Sequence, residues 1–159
     1  MSLPALSNPY LVMAAIMVVV AGTGIYATDI GPWYRELQKP SWQPPDRAFG
    51  PVWTTIYCFI VAAVGQAWTH SPASAHVTIA WVTGVNVVAN IAWSFLFFKC
   101  RRPPWALVEV PMLWLSIVAM MVVFHEHRPL AAWLLTPYLA WVTVAAYLNL
   151  TIVRLNRVR

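Results

Sequence analysis

The sequence predicts an all-α integral membrane protein, a bundle of five transmembrane helices, on three observations. Hydrophobic residues make up 60% of the 159-residue chain and charged residues only 9%, whereas a soluble domain carries about 25% charged residues. Five long apolar runs each approach the ~20 residues that a helix needs to cross a ~30 Å hydrocarbon core. None of them alternates polar and apolar residues as the ~10-residue strands of a membrane barrel do.

The five runs form one predicted transmembrane domain over residues 1–159, with spans at about 10–28, 51–69, 77–98, 105–124 and 130–153. Lys, Arg and Asp are absent from every run. Glu109 is the single acidic residue within them, and we place it in the first turn of the fourth helix, where the helix dipole favours a carboxylate. The last run is long enough to tilt or to extend beyond the bilayer. Pro137 is expected to open its first turn.

The positive charges predict an orientation. With five spans, nine of the ten Lys and Arg residues fall on the side of the first loop and the C-terminus, and Arg128 alone falls on the other side. Positive residues favour the cytoplasmic face, so we expect loop 33–50 and the C-terminus to be cytoplasmic and the N-terminus to lie opposite. The formal net charge of +5 is then an orientation signal and a contact for anionic membrane lipid. A nucleic-acid partner would need a basic soluble module, which the sequence lacks.

The loop between the first two spans reads WYRELQKPSWQPPDRAFGPVW from Trp33 to Trp53. It holds three Trp and four Pro, more than a plain connector needs. Proline restricts the backbone and reduces the disorder lost when a loop closes, and Trp supplies aromatic contact area. The composition predicts a shaped lid. The alternative is a loop that packs on the helix ends and merely caps the bundle.

Few polar residues lie inside the spans. Asn86, Asn90 and Trp93 share one face of the third helix by their spacing of four and three residues. The asparagines are either hydrogen-bonding contacts between helices or polar anchors in a ligand cavity, because polar groups in membrane spans face the interior in both cases. Trp141 and Ala145 share a face of the fifth helix in the same way, and Ala145 beside an indole leaves a groove or permits close helix packing.

Standard catalytic motifs are absent from the sequence. Cys58 and Cys100 form no Cys-x-x-Cys pair, and the cysteine and histidine spacing predicts no metal site. No glycine-rich phosphate loop and no hydrolase or zinc-protease motif occurs. Any enzymatic role would therefore depend on the indoles of Trp53 and Trp141 rather than on an acid–base pair.

Four segments resemble the tryptophan-rich sensory protein/translocator protein family, which includes the peripheral benzodiazepine receptor. These are WYRELQKPSWQPP after the first span, GPVWTTIY at the start of the second, NVVANIAWSFLFF in the third and PYLAWVTVAAYLNL in the fifth. The resemblance runs from about Ala21 to Asn156.

The resemblance implies five helices around one ligand pocket closed by the first loop, in a homodimer that binds porphyrins, haem among them, and benzodiazepine-type ligands. No other cofactor is implied. Carried onto this sequence, the implied ligand-binding residues are Tyr34, Trp53, Asn86, Asn90, Trp141 and Ala145, with Tyr57 and Trp93 as neighbours. In the lid, Arg35, Lys39 or Arg47 would pair with the porphyrin carboxylates.

Three functions are compatible with this resemblance. In order of preference they are a porphyrin receptor or scavenger, a light- or oxygen-dependent porphyrin-degrading enzyme, and a porphyrin or sterol transporter. The sterol consensus, itself a weak pattern, just fails here because six residues separate Tyr147 from Arg154. A bacterial-type porphyrin role is favoured. Small residues at Ala80 and Gly84 predict the third helix as the dimer contact.

Overall fold

The computed structural model describes residues 8–157, and over that range the chain is helical with five helices long and apolar enough to cross a membrane. The predicted all-α, five-span fold is therefore confirmed within the described residues. Residues 1–7 and 158–159 lie outside it, and with them Arg159 and both ends of the predicted 1–159 domain.

Seven helices make up the described chain between residues 8 and 157. A 3₁₀ turn at Ala73–Ala75 precedes α4, and a π-helical turn at Phe95–Lys99 continues it. The helices are α1 (Pro9–Ala27), α2 (Pro32–Glu36), α3 (Asp46–Thr69), α4 (His76–Ser94), α5 (Pro103–His127), α6 (Pro129–Leu134) and α7 (Thr136–Leu155).

The second span begins earlier than the sequence predicted. Pro44 and Pro45 keep the chain extended, and α3 starts immediately afterwards at Asp46, whose carboxylate suits a helix N-terminus. Pro51 therefore lies inside α3, and its predicted role as a loop proline is wrong. The true connector between α1 and α3 is residues 28–45, which we call the lid, and it contains the short helix α2.

The fifth span is interrupted near Pro137, as predicted. The chain turns at Leu135, between α6 and α7, and Pro137 occupies the first turn of α7. Pro is tolerated there because the first N–H groups of a helix have no intrahelical partner. Leu135 itself is fully buried, so the interruption is packed into the bundle.

Two groups of helices build the bundle. α5 packs along both α4 and α7, and α1 packs along α3. Large apolar side chains such as Val18, Ile25 and Trp81 point outward and are more than 70% exposed, as expected for a surface that faces lipid rather than water.

One end of the bundle collects the lid, the α4–α5 connection and the end of α7. Arg101 and Asp29 form an ion pair at 2.9 Å between the first two of these. Asn156 exchanges two hydrogen bonds with the backbone of Gln38, at 3.1 and 3.0 Å. Arg128 begins α6 at the other end. The contacts of Arg101 and Arg128 thus lie at opposite ends, in keeping with the predicted division of Lys and Arg, while the membrane face that each end meets stays a prediction.

Candidate functional site

A cavity of about 410 Å³ lies beneath the lid, at the lid-side end of the bundle. Such a volume is within the range of small-molecule pockets in proteins. The lining comes from α1, the lid, α3, the end of α4 with its π-helical turn, and α7. The residues are Ala21, Gly24, Ile25, Thr28, Ile30, Tyr34, Asp46, Phe49, Gly50, Trp53, Thr54, Tyr57, Trp93, Ser94, Phe98, Trp141 and Ala145.

Seven of the seventeen lining residues are aromatic. Trp53 and Tyr57, one turn apart on α3, lie with ring centroids 5.5 Å apart. Trp141 of α7 meets Phe49 edge-on at 5.5 Å. Edge-on and tilted pairs of this kind are favourable arrangements of aromatic rings, so neighbouring rings of the wall stabilise one another.

Tyr34 closes the cavity from the lid. Its side chain is only 6% exposed, and its hydroxyl donates to Asp46 at 3.4 Å and accepts from Gln43 at 3.3 Å. Burial, together with the negative charge of Asp46, raises the pKa of Tyr34 to about 12. The phenol is therefore neutral at physiological pH. Lys39 lies over the same ring, with Nζ 4.0 Å from the centroid, which is a cation–π contact.

Three separate contacts fasten the lid to the bundle. The first is the Arg101–Asp29 ion pair, and the second is the hydrogen-bonded pair of Gln38 and Asn156. The third is a stack of Trp42 on Tyr147 with centroids 5.2 Å apart and ring planes 18° apart. Hydrogen bonds from the Gly31 N–H and from Arg101 hold the pKa of Asp29 below its usual range.

The structure brings together six of the eight predicted site residues. Tyr34, Trp53, Tyr57, Trp93, Trp141 and Ala145 all line the cavity, whereas Asn86 and Asn90 do not. The ligand-binding role of all eight stays a prediction, since position alone does not test it.

Asn86 and Asn90 lie deeper in the bundle, in a polar cluster between α4, α5 and α7. Asn90 donates to the hydroxyl of Tyr138 at 3.0 Å, and that hydroxyl donates to Asn86 at 3.4 Å. Asn86 donates in turn to Ser116 at 2.9 Å. The two asparagines are 3% and 6% exposed. The sequence left two roles open for these asparagines, hydrogen bonding between helices or anchoring of a ligand. Their contacts are those of hydrogen bonding between helices.

Sequence reasoning missed several residues of this region. Tyr138 is the centre of the polar cluster and is fully buried. Its spacing of three residues from Trp141 was an available signal. Phe49 and Phe98 complete the aromatic wall, but Phe residues in an apolar sequence are too common to single out.

Glu109 is placed differently from the prediction. Because α5 begins at Pro103, Glu109 lies in the second helical turn rather than the first, away from the N–H groups at the helix start. Both carboxylate oxygens are buried and have no hydrogen-bond partner among the described residues. An unpaired carboxylate in an apolar bundle is costly when ionised, so the helix-dipole explanation for Glu109 does not apply.

Comparison with known proteins connects the whole bundle to one family. The family model described as TspO/MBR matches residues 11–155. A tryptophan-rich protein TspO of Chlorobaculum tepidum is 38% identical over 128 residues, covering 78% of this chain and 79% of that relative. The translocator protein of Homo sapiens is 38% identical over 127 residues, covering 78% and 75%. A tryptophan-rich sensory protein of Cereibacter sphaeroides is 34% identical over 125 residues, covering 78% and 77%.

Proposed function

The chain belongs to the TspO/MBR family, and from that premise we propose that it is a membrane receptor or scavenger for porphyrins, protoporphyrin and haem included. The observation that carries the proposal is the aromatic cavity under a cationic lid. A porphyrin is a flat apolar disc with carboxylate groups at one edge. The disc needs apolar, aromatic contacts, and the carboxylates need positive charges. The cavity offers the first and the lid the second.

The inner wall suits the disc. Trp53, Trp93 and Trp141 enter the cavity from three helices, α3, α4 and α7. Stacked and edge-on contacts between aromatic rings are each worth about 0.5–1.5 kcal/mol beyond burial. Rings from three directions make such contacts available to both faces and the rim of a flat ligand.

The lid suits the carboxylates. Lys39 lies over Tyr34 at the cavity boundary. Arg35 of the lid and Arg47 at the start of α3 are exposed, and each directly follows a cavity-lining residue, Tyr34 and Asp46. Within residues 8–157 the one ion pair is Arg101–Asp29, so these three cations are available to an anionic ligand. Charge-assisted hydrogen bonds to carboxylates are about twice as strong as neutral ones.

Titration with protoporphyrin in the dark tests this proposal. Quenching of intrinsic Trp fluorescence should saturate, and the single variants Trp53→Phe and Trp141→Phe should each lose part of it. Trp81→Phe is the control, because Trp81 is 74% exposed on the outer surface and does not line the cavity. Equal quenching and affinity in all three variants and the parent would place the ligand elsewhere.

Light- or oxygen-dependent porphyrin breakdown is a second candidate, favoured by one contact. Trp53 of the cavity wall meets the buried Tyr138 edge-on, with centroids 6.2 Å apart. An oxidised indole would have an aromatic neighbour able to supply an electron. Following the porphyrin spectrum in light and in the dark separates the two functions. Loss of products in Trp53→Phe with binding retained would favour the enzyme.

We also propose a homodimer through α4. Gly84 has open space where a side chain would stand, and with Ala80 it lines an apolar groove of about 350 Å³ between α1, α3 and α4. Small residues let membrane helices approach closely. Gly84→Leu should reduce the mass measured by light scattering in detergent, and an unchanged mass would indicate another interface.

The lid is proposed to face the cytoplasm, on the strength of the Lys and Arg distribution. A single cysteine at Gln38, in a protein with Cys58 and Cys100 replaced by Ser, should resist a membrane-impermeant thiol reagent added outside intact cells. Labelling from the outside would reverse the orientation.

A further inference from the structure

The cavity has an opening on its side, between the lid-side ends of α1 and α3. The cavity-lining residues that are also exposed on the outer surface are Ile25 of α1, Thr28 and Ile30 at the start of the lid, and Asp46, Gly50 and Thr54 of α3. Ile25 is 78% exposed. A residue can do both only where it stands at the rim of an opening. This rim faces sideways, toward the surface that the lipid covers.

The same two helices are closed at the opposite end. The hydroxyl of Tyr10 on α1 accepts a hydrogen bond from Gln66 on α3 at 3.2 Å. The Tyr10 ring lies so close to Gly65 that no side chain would fit there. α1 and α3 therefore touch at this end, whereas at the lid end residues of both helices line the cavity.

Two glycines keep the opening clear. Gly24 on α1 and Gly50 on α3 both line the cavity, and neither has another group within 4 Å of where a Cβ would be. Glycine inside a helix is less favourable than alanine, so helix propensity does not account for glycine at these two positions. A larger side chain at either position would project into the opening.

The route from water is closed by the lid. Tyr34 of the lid is buried over the cavity, and three contacts fasten the lid to the α4–α5 connection and to α7. Access through the lid would require these contacts to break.

The depth of the opening matches the place of an amphipath in a bilayer. At about 1.5 Å per residue, Gly50 lies about 6 Å and Thr54 about 12 Å below Asp46 along α3. With Asp46 and Arg47 at the headgroup level, the rim covers the boundary between headgroups and acyl chains. A flat apolar molecule with an anionic edge resides at that boundary, with the edge toward water.

We propose that this opening is a lateral portal through which the ligand passes directly between the cytoplasm-facing lipid leaflet and the cavity, while the lid stays shut. The proposal rests on the proposed function for the ligand class, a flat, membrane-partitioned molecule with carboxylates at one edge. The cations of the lid then guide the carboxylates along the membrane surface. The lipid, rather than water, is the reservoir from which the cavity fills.

A reversible lid cross-link and a blocked portal test this route. The cross-link is the Gln38→Cys/Asn156→Cys pair, with Cys58 and Cys100 replaced by Ser, oxidised and then reduced in the same proteoliposomes. The blocked portal is Gly50→Leu, with Gly24→Ala as a milder second variant. The probe is protoporphyrin IX loaded into the lipid, and binding is followed by stopped-flow quenching of Trp fluorescence.

The cross-linked protein should bind at the rate of its reduced form. Gly50→Leu should slow association and dissociation together by about tenfold, which corresponds to about 1.4 kcal/mol in the barrier. Gly22→Leu is the matched control and should bind like the parent, because Gly22 is exposed on α1 with equal space around it but does not line the cavity.

Other outcomes overturn the proposal in distinguishable ways. If the oxidised cross-link stops binding and reduction restores it, while Gly50→Leu and Gly24→Ala bind at the parent rate, the ligand passes through the lid. If Gly50→Leu and Gly22→Leu slow binding equally, the effect is not at the portal. If the parent itself does not quench with protoporphyrin IX, the proposed function fails, and the portal has no ligand to pass.

Discussion

The aromatic wall of the cavity and the polar cluster deeper in the bundle are built from the same helix faces but make different contacts. Trp93 lines the cavity, while Asn86 and Asn90, on the same face of α4, bond to Ser116 and Tyr138 in the closed part of the bundle. On α7 the division repeats, with Trp141 in the wall and Tyr138 in the cluster. Depth along the helix separates the two roles, because the cavity lies at the lid-side end of the bundle.

The comparison teaches what residue spacing can and cannot predict. Spacings of three and four residues place side chains on one face, and the prediction that Asn86, Asn90 and Trp93 point inward is consistent with their burial. At about 1.5 Å per residue, Asn86 lies about 10 Å deeper than Trp93. Whether an inward-pointing side chain meets a cavity or another helix at a given depth depends on how the neighbouring helices pack.

A change in the wall should give the largest effect, on affinity. Ala145→Thr adds a methyl and a hydroxyl beside Trp141, and overpacking of this kind costs roughly 1–3 kcal/mol, or about a five- to hundredfold loss of porphyrin affinity at 1.4 kcal/mol per decade. The helix should survive, because a Thr hydroxyl bonds back to the preceding turn. Titration and a melting curve on one preparation measure both quantities.

Ala146→Thr is the neighbouring control. Ala146 packs against the hydrophobic core and does not line the cavity, so this change should lower the melting temperature and spare affinity. If the two variants changed affinity and melting temperature equally, Ala145 and Ala146 could not be assigned separately to the cavity wall and the core.

A change in the polar cluster should give the second-largest effect, a loss of stability. Tyr138→Phe removes the hydroxyl that joins Asn86 to Asn90, leaving two buried amides short of a partner. Removing one partner of a buried hydrogen bond costs about 1–3 kcal/mol, and less where membrane helices find substitutes, so about 1–2 kcal/mol of unfolding free energy is expected. Porphyrin affinity should stay within about twofold, a change of under 0.5 kcal/mol.

Tyr57→Phe is the paired variant for that experiment. Tyr57 lines the cavity, and its hydroxyl makes no hydrogen bond to another described residue, so the change should alter ligand affinity more than stability. Should Tyr138→Phe weaken binding while Tyr57→Phe unfolds more easily, the assignment of wall and cluster would be reversed.

The lid fastening should give the smallest effect. Asp29→Asn removes the ion pair with Arg101, which is solvent-exposed, and such pairs contribute little. Hydrogen exchange at lid amides 28–36 should quicken slightly, with the helices unchanged. Because the folded-state pKa of Asp29 is lowered, its contribution is complete above its pKa in the unfolded chain and is lost as the pH falls through the folded-state value. Asp29→Asn should abolish that acid dependence, and a parent protein without it would refute the pairing.

Much of the fold was predictable because the lipid environment determines where the spans lie. Apolar runs mark the spans regardless of their partners, so all five were located. Hydropathy reports where the chain meets lipid rather than where it is helical, which explains why the start of α3 at Asp46 was missed. Proline at position 51 reinforced that error, because a proline beyond the first turn of a helix removes a backbone hydrogen bond.

The site was less accessible to sequence reasoning where contacts join distant residues. The lid could be recognised from its Trp and Pro residues, but nothing local indicated that Asp29 would pair with Arg101 or Gln38 with Asn156. The position of Glu109 depended on where α5 begins. The opening between α1 and α3 depends on how two helices diverge, which no single segment encodes.

The π-helical turn at Phe95–Lys99 changes how the third span has to be read. In a regular α-helix, residues five apart point roughly 140° away from each other, so Trp93 and Phe98 would face different neighbours. The wider turn brings them together, with ring centroids 6.2 Å apart and both rings in the cavity wall. A helical wheel drawn with one phase through this span misassigns everything beyond Ser94. Deleting one residue from 95–97 would place Phe98 four positions after Trp93, about 40° away on a regular α-helix, so Phe98 should still face the wall after the π-helical turn is removed.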